Sequence, residues 1–515
     1  MKRVSSSSSA ATALLIALPL VKLAIHLAVG GGYGYHGDEM YYLDCADHLD
    51  WSYVDHPPLS IVVLAAIRAL AGNSVIAIRS VPALAGALTV FVVGLMTRRL
   101  GGGTFAMALA MVATIAAPFY LFGSSYFSMN ALDFLVWATV AWLVIRILSA
   151  ESSETDGASI PTHLWIALGI LIGIGVQNKI SVLWLSGGLF AGLMLTPQRA
   201  LLRTRGPWLA AGIALLFLIP QIAWQFTHDF ATLRWMKGAA EDRPSAPVVF
   251  LARQFDGMLR TAAPVWLAGL AFYFVLPQGR RYRTLGWAWL AVGALFTFGA
   301  GSRPYYLAPA YAWLIAGGAV AIETWSKKRW LSWVRVAYLA AIVISGAKAS
   351  LMALPILPQA QLAAAYAPLR ARDGGGRFQD KLPEFLSQMS GFDQIVGQLA
   401  DVYDSLPATE KDRAMMLVAY YPIAGAIDVL GRARGLPLAS SSNNSYWLWG
   451  PQGSWTGPII ALGYPERLLR ELFVQVDQVA ETHCDYCREP PHAVWVARGL
   501  QVPPDALWRR LKNRE

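Results

Sequence analysis

Apolar residues come in long unbroken runs, not stripes, through the first two-thirds of the chain. Eleven runs of about 17–25 residues, the length that the hydrocarbon core of a bilayer demands, lie near 10–29, 75–97, 104–122, 130–149, 163–177, 180–196, 207–225, 262–277, 284–300, 305–323 and 332–354. Each predicts a membrane-spanning helix. The stretch 163–196 reads as two spans split at Lys179, with one long kinked span as the alternative. Two connections are long, 30–74 and 226–261, and "ESSETDGAS", Glu151–Ser159, reads as a polar connecting loop. After about Leu357 the pattern changes. Charges occur throughout, and the short apolar strings "AMMLVAYY", "GPIIALG" and "HAVWVARG" alternate with the helix-like stretches "IAGAIDVLGRARG" and "PERLLRELF". Alternation of this kind predicts a small α/β domain. The expected architecture is an α-helical polytopic membrane protein over 1–357, with about eleven transmembrane helices and the large first loop 30–74, followed by an α/β domain over 358–515.

Composition agrees. Of 515 residues, 56% are hydrophobic and only 14% charged, with mean hydropathy +0.43; soluble domains carry nearer to a quarter charged residues. The net charge of +10 is best read through the loops. With the N-terminus in the cytoplasm, the cytoplasmic connections hold Lys2 and Arg3; Arg98 and Arg99; Arg199, Arg203 and Arg205; Arg280, Arg281 and Arg283; and Lys327, Lys328 and Arg329. Positive charge belongs on that side. The first loop, the 226–261 loop and the tail then fall on the extracytoplasmic face. The basic balance therefore reports topology, and no aromatic-basic motif points to a nucleic-acid partner. The N-terminal run is long enough to span and further spans follow, so it reads as an uncleaved first helix.

Candidate chemistry gathers in the first loop. "GYGYHGDEMYYL", Gly32–Leu43, places Asp38 and Glu39 side by side, and "YVDHPPL", Tyr53–Leu59, follows. Neighbours on a helix point about 100° apart, so of these two candidate catalytic residues one faces a substrate while the other faces structure or a second ligand. "MYYLDCADHLDW" predicts a short amphipathic helix at the membrane interface, anchored by Tyr41, Tyr42 and Trp51. Pro57 and Pro58 fix an extended backbone that holds Asp55 and His56 stiffly. There is no Walker loop and no GxGxxG in a strand–helix context. An activated donor on the outer face has to arrive within the membrane, and a polyprenyl-phosphate sugar meets that need. Transfer then requires a base for the acceptor hydroxyl and cations for the departing phosphate. Asp38 offers the base. Lys179, in "VQNKISV", and Arg303, in "GSRPYYLAP", are single cations at outer span ends, and Tyr305 and Tyr306 stand beside the latter as belt residues or sugar contacts. Lys22 and His26 lie inside the first apolar run and are set apart from the core site. "HCDYC", His483–Cys487, has too few ligands for zinc and reads as a local disulfide between Cys484 and Cys487.

The strings "GDEMYYL" and "YVDHPPL", with "LGGG" at 100–103, "SMNALD" at 128–133, "QNK" at 177–179, "RPYYLAPAY" at 303–311 and "NSYWLWGP" in the tail, resemble the GT-C membrane glycosyltransferases. Within them the likeness is to the superfamily of protein O-mannosyltransferases and lipid A aminoarabinose transferases, the bacterial family 39-like branch above all. It implies inverting transfer from a polyprenyl-phosphate-linked sugar at the periplasmic face of the inner membrane. The acceptor hydroxyl belongs to a lipid, an envelope glycan or a protein. The aspartate of the DE pair, Asp38 here, is the expected base, with Glu39 beside it. No protein metal site is implied, though a divalent cation assisting the transfer is compatible. Relatives often carry a basic residue before the DE pair, where this chain has Gly37. Many carry an acidic residue in the tail where this chain has Pro422 and Ile423. The competing reading is a transporter or flippase of lipid-linked sugars. Transporters show repeats and mid-membrane charges, whereas here the polar features gather in one loop.

Overall fold

The computed structural model describes residues 2–151, 160–372, 381–488 and 490–512. The connecting loop expected at 151–159 lies outside the described residues except for Glu151. The fold is mostly helical, and its many apolar helices make it a multi-pass membrane protein. Six helices are long and apolar enough to cross a bilayer: Ser9–Val29, Val75–Arg99, Met129–Ala150, Arg205–Thr227, Pro304–Trp325 and Ser332–Ala353. A pair bent by 84°, Arg260–Phe274 with Pro277–Phe298, gives a seventh if counted as one span. Every run expected to span is helical, but length and composition alone support six or seven crossings, not eleven. The shortfall has local causes. The run 104–122 breaks between Thr104–Ala116 and Pro118–Gly123, because Pro118 has no N–H to continue the ladder. The run 163–196 splits at Lys179 as expected, extended (φ −157°, ψ 134°), but its halves, Thr162–Asn178 and Ser181–Met194, are only 17 and 14 residues long.

The chain forms two compact units. One comprises Met1–Gly30, His56–Ser60 and Ile76–Leu354. In it helices approach closely through glycine, as in membranes where small residues let backbones meet. A Cβ on Gly318 would overlap the Val265 carbonyl oxygen, and one on Gly269 the Leu314 carbonyl, so Ala263–Phe274 and Tyr311–Trp325 pack backbone to backbone. Trp137 and Trp313 stack at 6.3 Å within the core of this unit. Two ionisable groups of the first helix, Lys22 and His26, are satisfied inside it. Lys22 Nζ donates to the Tyr120 carbonyl (2.8 Å), and His26 Nε2 lies 3.0 Å from the Leu121 carbonyl. Both carbonyls lie in the last turn of the short helix Pro118–Gly123, where backbone donors run out; Leu121 accepts from the Ser124 N–H as well.

The second unit comprises Gly31–Asp55, Ile61–Val75 and Pro355–Glu515. Where the sequence reading kept the first loop with the membrane part, compactness groups most of that loop with the tail. A five-stranded sheet is built from β1 (Met415–Val418), β2 (Ala439–Ser441), β3 (Ile459–Leu462), β4 (Phe473–Glu481) and β5 (Ala493–Leu500). Its order is β2-β1-β3-β5-β4. β1 runs parallel to β2 and β3, in register Met415↔Ile459, while β5 is antiparallel to β3 and β4. The central strands β1 and β3 are buried throughout, which is why they read as unbroken apolar strings.

The first-loop helix differs from expectation. It starts at Gly37, runs to Asp47, and buries Met40 to Cys45. Tyr41 and Tyr42 are core residues and only Trp51, 65% exposed, lies open. The helix is therefore not an amphipathic segment resting at an interface. Its aromatic face packs on the tail, where Tyr41 stacks near Tyr421 (5.3 Å) and Tyr446 (5.7 Å). Sequence periodicity does not show that the polar side of a helix is covered by a segment nearly 400 residues away.

Candidate active site

The helix Gly37–Asp47 begins with a full capping box. His36 is the N-cap: its Nδ1 accepts from the Asp38 N–H (3.0 Å), while its own N–H donates to Glu39 Oε2 (2.8 Å). Two orphan donors of the first turn are thereby satisfied reciprocally. The box divides the two carboxylates. Glu39 is fully buried and its oxygen is committed to the cap. Asp38 keeps a side chain 28% exposed, at the helix end where negative charge is favoured. The Tyr421 hydroxyl donates to Asp38 Oδ1 at 2.7 Å, which fixes the carboxylate's orientation and leaves Oδ2 toward solvent and His36 (3.7 Å). Because His36 Nδ1 already accepts from a backbone N–H, it is not a donor to Oδ2.

The rest of this group ties the first loop to the tail within the second unit. Asp55 Oδ1 accepts from the Tyr41 hydroxyl (2.9 Å), which also lies 2.9 Å from Ser445 Oγ; the latter accepts from the Val54 N–H at 3.2 Å. Ser445 and Tyr446 belong to the "NSYWLWGP" string. The Tyr446 hydroxyl donates to the buried Asp44 Oδ2. Burial, and then the charge of Asp428, push the Asp44 carboxyl well above its usual range. Burial likewise raises Asp428 to about 7, opposed by the Ala439 N–H that it accepts at 2.7 Å and by Arg432. Asp47 below them bridges Arg68 (3.0 Å) and Arg432 (3.6 Å).

A second group lies in the membrane unit. Lys179, at the end of Thr162–Asn178, donates to Asn130 Oδ1 (2.8 Å) and sits 3.6 Å from Asp133 Oδ2, whose other oxygen accepts from Ser181 (2.7 Å). Its ammonium faces the rings of Tyr306 (5.0 Å) and Tyr305 (6.0 Å), a cation–π arrangement. Those tyrosines follow Arg303, the N-cap of the short helix Pro304–Ala310. The sequence reading missed a further cation here, Arg243. The Gly301 N–H donates to the Arg243 carbonyl (2.8 Å), and at Gly301, φ +77°, a Cβ would come within 3.2 Å of the Ala240 Cα and 3.4 Å of the Ala239 carbonyl oxygen. A side chain at that φ is strained, so glycine permits the approach. Burial, and then the Arg303 guanidinium, hold Arg243 below the ordinary arginine range. From "AEDRPS" alone Arg243 looks like one charge of a solvated loop. Arg79, buried in the helix Val75–Arg99 and donating to the Gly30 carbonyl (2.9 Å), is a second ionisable group that the motifs did not mark.

The expected residues therefore fall into two sets: Asp38, Glu39 and Asp55 in one unit; His56, Lys179, Arg303, Tyr305 and Tyr306 in the other. His56 is buried, with Nδ1 3.0 Å from the Pro57 carbonyl. Among the described residues no three His, Cys, Asp or Glu side chains converge as a metal site.

Residues 55–224 match the family described as dolichyl-phosphate-mannose-protein mannosyltransferase. ArnT from Cupriavidus metallidurans bound to undecaprenyl phosphate aligns over 94% of this chain and 97% of its own, with TM-score 0.60 and 17% identity. The chain has a GT-C fold. The apo state of ArnT gives the same coverage, with TM-score 0.58 and 16% identity. At these identities the likeness is one of fold, and it extends over both units. Family match and fold together support the superfamily that the motifs of this chain resemble. A sequence comparison with proteins of curated function returns no match.

Proposed function

We propose that this GT-C protein is an inverting glycosyltransferase. It moves a sugar from a polyprenyl-phosphate donor to an acceptor hydroxyl at the extracytoplasmic face of a bacterial inner membrane. The observation that carries the reading is Asp38: a part-exposed carboxylate, oriented by Tyr421, on the first turn of a helix whose following residues, Glu39 to Cys45, are buried. A base must be within hydrogen-bond reach of the proton it takes and must be held in place. The acceptor O–H gives its proton to Asp38 Oδ2 as its oxygen bonds to the anomeric carbon from the face opposite the phosphate. The C–O bond to phosphate breaks, and its electron pair leaves on the phosphate oxygen.

Lys179 and Arg303, with Arg243, are the groups assigned to that phosphate. Each is an N–H donor able to meet phosphate oxygens, and the mutual repulsion of two arginines is relieved when an anion binds. Asp133 and Asn130 hold the Lys179 ammonium in place in its absence. Tyr305 and Tyr306 offer ring faces and edges suited to a sugar or prenyl group. Glu39, Asp55 and His56 shape the loop. Support for a lipid-linked donor comes from the undecaprenyl phosphate carried by ArnT, whose fold this chain shares, and from the mannosyltransferase family match.

Purified protein in detergent, supplied with a polyprenyl-phosphate sugar and envelope lipid or glycan as acceptor, tests the reading. Mass spectrometry is expected to show the acceptor heavier by one sugar residue and free polyprenyl phosphate in equal amount. A flippase would leave both lipids unchanged, and that result would overturn the proposal.

A further inference from the structure

The half-buried Cys484–Cys487 disulfide stands beside the segment that holds the N-terminus of the Asp38 helix. Gly391, at φ +84°, lies against it: a Cβ there would come 2.7 Å from Cys487 Cβ and 2.8 Å from Cys484 Cβ. The loop bearing the disulfide is fastened to the helix Phe392–Ser405 on either side of Cys484. Gln398 exchanges two hydrogen bonds with the His483 backbone, both 2.8 Å, and Gln394 accepts from the Asp485 N–H at 3.2 Å. Arg488 bridges Glu384 at 3.2 Å. The strap 384–391, thus gripped from one side, grips the site helix on the other. Gln388 and Met389 carbonyls accept from the Gly37 N–H (3.1 Å) and the Gly34 N–H (3.0 Å). Phe385 stacks on the N-cap His36 at 5.4 Å. Every contact of this series lies within one unit.

We propose that the closed disulfide is a positioning device for the site: it buttresses the strap 384–391, and the strap fixes the first turn that presents Asp38. The inference rests on the reading of Asp38 as base for its consequence in catalysis, but not for its structural content. Bonded sulfurs sit about 2 Å apart, and the notch opposite Gly391 accommodates that closed pair. Two thiols must separate to van der Waals distance and lose the fit. The step is a two-electron reduction by a dithiol donor. The S–S bond breaks, each sulfur takes up one electron and one proton, and the donor closes its own disulfide. The half-buried sulfurs are open to such a reagent. An oxidising compartment keeps the buttress closed; a dithiol releases it.

The test is amide hydrogen exchange by mass spectrometry on the full-length protein in detergent. Untreated protein is compared with protein reduced by dithiothreitol, in which thiols are counted by alkylation, and with the C484A/C487A double variant. Peptides covering 34–40 and 384–391 are expected to exchange about tenfold faster after reduction and to recover on reoxidation, while β1 and β3 keep their protection. Gly391→Ala, which fills the notch with the disulfide intact, is expected to loosen the same two segments. Transfer should lose kcat while the donor KM holds. Unchanged exchange at 34–40 in both the reduced protein and the double variant would overturn the proposal. So would loss of protection in the sheet as well, because the disulfide would then be a general staple of the domain. If Asp38→Asn proved fully active but exchange behaved as described, the device would stand and the base assignment alone would fall.

Discussion

The Tyr421 hydroxyl donates to Asp38 Oδ1 at 2.7 Å, joining two residues 383 positions apart in sequence. The contact gives the proposed base one fixed oxygen and one open one. Tyr421→Phe deletes the donor and keeps the ring, which packs near Tyr41. A hydrogen bond to a charged group contributes about 1.5–3 kcal/mol. The expected outcome is a fall in kcat of about 10- to 100-fold in the same transfer assay, with a loss of thermal stability no larger than that contribution. Wild-type turnover would show that the bond does not orient the base.

Gly37 and Pro422, far apart in sequence, face each other closely. A Cβ on Gly37 would lie 2.8 Å from Pro422 Cβ. The glycine before the DE pair and the tail proline thus form one packed pair. Gly37→Ala is expected to lower stability by about 1–3 kcal/mol, the usual cost of overpacking, and Gly37→Ala with Pro422→Gly to recover part of it. Thermal melts of the single and double variants check the coupling; equal melts for wild type and Gly37→Ala would refute the contact.

The paired carboxyls Asp44 and Asp428 set a pH dependence of stability. Burial raises Asp428 to about 7, and Asp44 upward as well. Between the ordinary carboxylate range and about 7, the folded state binds a proton that the unfolded state has lost. Stability is therefore fully present at the acid end and falls as pH rises through the folded value. Asp428→Asn keeps an acceptor for the Ala439 N–H and removes the titration. The variant is expected to melt at or near the wild-type temperature at pH 5 and above it at pH 8. Parallel pH profiles for the two proteins would contradict the assignment.

Lys179, Arg303 and Arg243 are predicted to act on the donor. Arg243→Gln and Lys179→Gln are each expected to raise the donor KM about tenfold, since one lost charge-assisted contact is of that order, with a smaller change in acceptor KM. Steady-state kinetics with varied donor lipid separates the two. An unchanged donor KM in both variants would remove these cations from the phosphate.

Much of this was legible in the chain, and what was not has physical reasons. The helical runs, the break at Lys179, strands β1, β3 and β5, the pairing of Cys484 with Cys487 and the resemblance to the GT-C superfamily all follow from local pattern. Strand β4 was not read, because it lies at the sheet's edge with alternating polar residues and exposed Val474 and Val479. β2 is three residues long and carries two serines. The environment of Tyr41 and Tyr42 was misread as interfacial. A helix covered by a distant segment looks amphipathic until its cover is known. Arg243 was missed for the same reason, because only the close approach at Gly301 brings it beside Arg303. The division of labour between Asp38 and Glu39 was expected from helical geometry, whereas the partner of each carboxylate was not. Tyr421 lies in the tail, and nothing local ties it to the first loop.

The most direct measurement is the transfer rate of Asp38→Asn in purified protein whose melt and hydrogen exchange match wild type. Asparagine keeps the size of the side chain and an oxygen for Tyr421, and loses the capacity to take a proton. A loss of about 10²–10⁴-fold in kcat, with the donor KM little changed, is the predicted result. Full activity in that variant would contradict the account, because no proton would then pass to residue 38.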